Sequence, residues 1–97
     1  MGKREPYWRR LGTPATLVLY RTPNRWRYAV YFTGPGGITD GGLDGPAPSC
    51  EPVIAQTAMH RKAEELTHRT LGVTWQEADQ DGCWTGVITN PGPLPAS

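Results

Sequence analysis

Two cysteines, two lysines and a single phenylalanine are all that 97 residues hold of those types. Each shortage excludes something. Cys50 and Cys83 stand far apart with no Cys-x-x-Cys beside either, so neither a disulfide scaffold nor a zinc ribbon is readable. One bridge between them is the most the sequence allows. No stretch approaches the ~18 consecutive apolar residues of a membrane-crossing helix, and the basic N-terminus is followed by a segment broken at Gly12 and Pro14, which does not read as a secretory signal. The expectation is a cytoplasmic protein without a membrane partner. No heptad pattern supports a coiled coil, and at 37% hydrophobic residues a chain this short fills one modest core.

Glycine and proline are plentiful instead, 12 and 10 residues respectively. They concentrate in Gly34–Pro48 and in the C-terminal Asn90–Ser97, so the text between is cleaner than the average suggests. Arginine outnumbers lysine, a bias of high-GC bacterial genomes that weakens any functional reading of the preference. The net charge of +1 conceals an uneven distribution. Before residue 33, Lys3, Arg4, Arg9, Arg10, Arg21, Arg25 and Arg27 face only Glu5, a balance of +6, and the remainder carries −5. Such asymmetry points to a charged partner or to attraction between the two halves.

Residues 1–14 read as a basic, flexible arm, 15–89 as one domain and 90–97 as a proline-rich disordered tail. Leu17–Tyr20 and Trp26–Thr33 flank the turn signal Thr22-Pro23-Asn24 and predict a hairpin. In its second strand Trp26, Tyr28, Val30 and Phe32 share one face by period-two alternation, while Arg25, Arg27, Ala29 and Tyr31 share the other. A short third strand is expected near Ile38-Thr39, inside the glycine-rich connection. A helix follows, capped by Ser49 with Pro52 in its first turn, running to about Thr70 and stopping at Gly72. Its core stripe is Ala55, Met59, Ala63 and Leu66. Val73–Gln76 and Trp84–Thr89 form a second hairpin around Asp81-Gly82. The predicted fold class is α+β: a two-layer sandwich, order β-β-(β)-α-β-β, with an antiparallel sheet of four to five strands and one helix on one face. The other face of that sheet stays open.

Basic and aromatic residues interleave on the first hairpin. Tyr20, Arg25, Arg27 and Tyr31 form the candidate patch, with Trp8, Arg9 and Arg10 as an extension. Cations that neutralise phosphates and rings that stack on bases are what single-stranded nucleic acid needs, and Tyr, Trp and Arg also dominate protein interfaces. His60, Glu64 and His68 recur every fourth residue on the helix, a pattern at home on a solvated face. Glu77-x-Asp79-x-Asp81-Gly82 opens like a calcium loop but has Ile88 where a bidentate Glu belongs. No metal or cofactor is expected from either motif. No base or oxyanion donors accompany Cys50, the more activatable thiol at a helix start. The expected function is therefore a small non-enzymatic binding module. It would engage a protein partner or a second copy of itself through an open sheet face or edge. Nucleic-acid binding by the first hairpin and arm is the alternative.

Overall fold

A computed structural model describes residues 12–34 and 37–93. Five strands form one antiparallel sheet: β1 (Thr13–Arg21), β2 (Trp26–Thr33), β3 (Ile38–Leu43), β4 (Gly72–Glu77) and β5 (Cys83–Asn90). The helix α1 (Pro52–Thr67) lies between β3 and β4 in the chain, and the strands run in the order β3-β2-β1-β5-β4 across the sheet. This is the expected α+β sandwich, with α1 packed on the sheet against β1, β2 and β3.

The alternation read from β2 sets the layering. Trp26, Tyr28, Val30 and Phe32 are buried together with Leu17 and Leu19 of β1, Leu43, Leu71, and Ala55, Met59 and Ala63 of the helix. Small residues on α1 let its backbone sit close to the sheet, and large side chains from the sheet fill the layer between them. Trp84 of β5 completes this packing from a half-buried position, its ring 5.5 Å from that of Trp26 at an interplanar angle of 51°.

The same parity that buries Leu17 and Leu19 brings Arg21 to the helix side of the sheet. Its guanidinium stacks 4.4 Å above the Trp26 ring and donates to the carbonyls of Pro48 and Cys50. The Trp26 indole N–H donates to the Ala47 carbonyl at 2.9 Å. One cation and one indole thus pin the glycine- and proline-rich connection to the core. Arg21→Met keeps the stem but removes the charge, the stacking and both hydrogen bonds. At this exposed strand end the expected loss is about 1–2 kcal/mol, measured as a shift of the urea midpoint at unchanged slope.

Several boundaries differ from the sequence reading, each for a local reason. Strand β1 begins at Thr13, two residues inside the expected arm, because a bulge between Pro14 and Thr16 lets Pro14 pair with Phe32 without needing an N–H on the ladder. The third strand spans six residues and not two. Helix α1 is preceded by Glu51 rather than capped by Ser49, and no side chain caps it. It ends at Thr67, with His68 in the left-handed conformation. Gly72, the expected stop, is the first residue of β4. Thr67 is buried on the core stripe beyond Ala63, its hydroxyl donating to the Ala63 carbonyl, and Leu66 is only half-buried.

The expected tail also starts too early. Asn90 pairs with Gly72, its side-chain oxygen accepts the Gly92 N–H, and Arg69 donates to the carbonyls of Pro91 and Gly92. Gly92 has φ 69°, and a Cβ there would lie 2.3 Å from the Thr70 carbonyl oxygen. Only glycine lets the chain leave the sheet this closely. Among the described residues no helix is long and apolar enough to cross a membrane.

Candidate functional site

On the side of the sheet away from α1, cross-strand pairing arranges the side chains in rows. Ile38, Tyr31, Thr16, Val87 and Thr74 form one row, Asp40, Ala29, Val18, Thr85 and Gln76 the next, and Gly42, Arg27, Tyr20 and Cys83 a third. The large exposed apolar side chains of this face are Tyr31, Ile38 and Val87. Arg25 precedes β2 with the parity of Arg27. Its side chain lies over Gly42, where a Cβ would stand 2.5 Å from the guanidinium nitrogen.

Tyr20, Arg25, Arg27 and Tyr31, the patch read from the sequence, therefore share one face. They do not form one cluster. Tyr20 sits opposite Arg27, whereas Tyr31 sits opposite Thr16, four residues along β1. At ~3.3 Å per residue this offsets the two positions by roughly 13 Å along the strands. Asp40 occupies the intervening row. The face thus has a basic end, made by Tyr20, Arg25 and Arg27, and an apolar end, made by Tyr31, Ile38 and Val87. Trp8, Arg9 and Arg10 lie outside the described residues.

The helix side carries a second concave surface that the sequence reading missed. Because α1 packs over β1, β2 and β3, the helix side of β4 is left as the floor of a groove of about 420 Å³. Leu71, Val73 and Trp75 line it from below, and Val53, His60 and Glu64 from the helix. Val53 and Ile54, in the first turn of α1, are 63% and 52% exposed. Their signal in the sequence was an apolar pair that does not fit the Ala55–Met59–Ala63 stripe. Gly86 of β5 belongs to the same surface, for the Trp75 ring and a Val73 methyl lie 2.9–3.2 Å from where its Cβ would be.

His60 and Glu64 have a structural task here. The Leu71 carbonyl lies 2.7 Å from His60 Nε2, and since a carbonyl only accepts, Nε2 carries the proton. Glu64 Oε2 accepts the Leu71 N–H at 2.9 Å and lies 3.5 Å from His60 Nε2. The two side chains clasp both backbone groups of Leu71 and so fix the turn from helix to β4. His68, their expected companion, stands in the left-handed residue that ends the helix. Among the described residues no group of three or more His, Cys, Asp or Glu side chains is placed to hold a metal ion. Glu77, Asp79 and Asp81 flank a hairpin turn closed by the Ala78 N–H on the Cys83 carbonyl. Cys50 and Cys83 are both free and half-buried, and they belong to opposite sides of the sheet, Cys83 beside Tyr20 and Cys50 packed against the core.

The described residues thus present two surfaces, a sheet face with an apolar and a basic end and a groove with an apolar floor and a largely polar helix wall. No protein-family model matches the chain, and no curated protein and no solved structure proved similar to it.

Proposed function

We propose that this protein is a non-enzymatic binding module that takes a protein partner on the open face of its sheet. The observation that carries this reading is the juxtaposition of Tyr31, Ile38 and Val87 with the basic end formed by Tyr20, Arg25 and Arg27. Interface cores favour such a composition, in which aromatic and aliphatic side chains bury area while arginine supplies directed hydrogen bonds. Asp40 between the two ends gives a partner a fixed polarity, since its own charges must follow the order set by the rows. The offset of roughly 13 Å between Tyr20 and Tyr31 suits a protein surface better than consecutive bases.

A photo-activatable phenylalanine analogue at position 31, with the same analogue at Glu65, exposed on the helix and away from the groove, as control, tests the reading in cells that make the protein. Adducts at position 31 that protease removes are expected. Their absence, or equal adducts at position 65, would count against the open face.

Nucleic acid is the second reading, favoured by the co-facial Arg25, Arg27 and Tyr20. It predicts adducts that nuclease removes. It also predicts single-strand binding whose log–log salt slope falls by about 1.4 when Arg25→Glu and Arg27→Glu remove two phosphate contacts. A slope unchanged by the double variant would exclude it.

A further inference from the structure

The edge of β4 and the groove beside it point to a second, separate interface. The Ala78 N–H bonds to the Cys83 carbonyl at the hairpin end, so by antiparallel alternation Thr74, Gln76 and Ala78 direct their backbone groups toward β5. Val73, Trp75 and Glu77 therefore direct theirs outward. Among the described residues strand β4 is the last in the sheet and its outward groups meet no further strand, while its six residues hold no proline and no lysine to guard that edge.

The opposite edge is built differently. The Phe32 N–H bonds to the Gly37 carbonyl, which turns Ile38, Asp40 and Gly42 outward on β3 by the same alternation. An antiparallel copy of β3 centred on Asp40 would set two carboxylates against each other, which is destabilising. No such conflict exists on β4. Centred on Trp75, a second β4 meets the first with Trp75 opposite Trp75, Val73 opposite Glu77 and Thr74 opposite Gln76. No like charges oppose each other in that register, and each outward N–H finds an outward carbonyl. The groove supports the same occupant, because its charged lining is one cation and one anion, Arg61 and Glu64, so that a two-fold axis sets a balanced surface against its equal.

We infer that a second copy of this chain pairs antiparallel along β4 about a two-fold axis at Trp75, making a ten-stranded sheet with both helices on one side. The grooves floored by Val73 and Trp75 in the two copies then run together across the axis into one trough between the helices. This interface leaves the open face free and stands independently of the reading proposed for that face.

The test uses charge and register together. Thr74 and Gln76 are exposed on β4, so lysines at both positions leave the monomer's own packing intact while setting lysine against lysine across the axis. Thr74→Lys with Gln76→Glu instead sets opposite charges together in the same register. Sedimentation equilibrium of the full chain is expected to show a dimer. The lysine pair should weaken it by about tenfold or more, the Lys/Glu variant should return it to the wild-type constant, and Tyr31→Lys should leave it unchanged. A wild-type chain still monomeric at ~0.5 mM, a dimer indifferent to the lysine pair, or one broken by Tyr31→Lys alone would overturn the inference. The last outcome would place self-association on the open face instead. Capture on β4 of an extended segment from another protein, with no self-association, would also overturn it.

Discussion

Replacing Trp26 by alanine is expected to cost about 3–5 kcal/mol, the upper range for truncating a buried aromatic. That is a large fraction of the roughly 5–15 kcal/mol that stabilises a domain of this size. The effect has three sources. The indole is fully buried among core side chains, so its removal leaves a cavity that short helix residues cannot collapse into. The Trp84 ring loses its neighbour. The Ala47 carbonyl and the Arg21 guanidinium lose the groups they hold, which releases the connection between β3 and α1. Trp26→Phe separates these sources, since it keeps most of the apolar volume and drops only the N–H donor and part of the stacking surface. A loss of about 1–2 kcal/mol is expected for that variant, and urea denaturation followed by circular dichroism measures both. Equal losses for the two variants would show that the hydrogen bond to Ala47, not the packing, dominates.

Gly86→Val has the second largest expected effect. A Cβ at this position already meets the Trp75 ring and a Val73 methyl at 2.9–3.2 Å, and two further methyls would require the ring to leave the sheet surface. The ring is half-buried, so it can swing outward and relieve part of the overlap. The expected loss is therefore about 1–3 kcal/mol, the usual range for overpacking. The displaced indole should also move toward water, read as a red shift of tryptophan emission that a Trp75→Phe background abolishes. Should Trp75 be displaced, the groove loses its floor, and self-association along β4 should weaken in the same sample.

The strands were legible in the sequence where alternation was undiluted. Trp26, Tyr28, Val30 and Phe32 announced a core face, and the helix stripe of Ala55, Met59 and Ala63 announced what covers it. Strand β3 was nearly hidden because Gly41 and Gly42 contribute no side chain to alternate. The structure supplies their reason: Tyr28 lies across Gly41 on the helix side and Arg25 across Gly42 on the open side. The end of α1 was misplaced because glycine is the usual left-handed residue after a helix, whereas here His68 takes that conformation and Glu64 and His60 secure the following turn.

The open-face residues could be named in advance because parity alone assigns them. Their division into a basic and an apolar end could not, since it depends on the β1–β2 register. Arg21 belongs to the basic excess by sequence position, but its parity with Leu17 and Leu19 sets it on the core side. The groove is signalled only by the Val53–Ile54 pair outside the helix stripe, because it arises from the sideways position of α1 over the sheet, which local sequence does not encode.

The strand order also governs how the chain can assemble. The meander β1-β2-β3 and the hairpin β4-β5 are each closed by short connections, and within the sheet they are joined by the pairing of β1 with β5, at partners such as Thr16 and Val87. That seam joins residues near opposite ends of the chain, and closing so long a loop carries an entropic cost that no local contact offsets. The two locally connected parts must therefore find each other before the sheet is continuous. During synthesis the side of β1 that pairs with β5 therefore waits without its strand until β5 has left the ribosome.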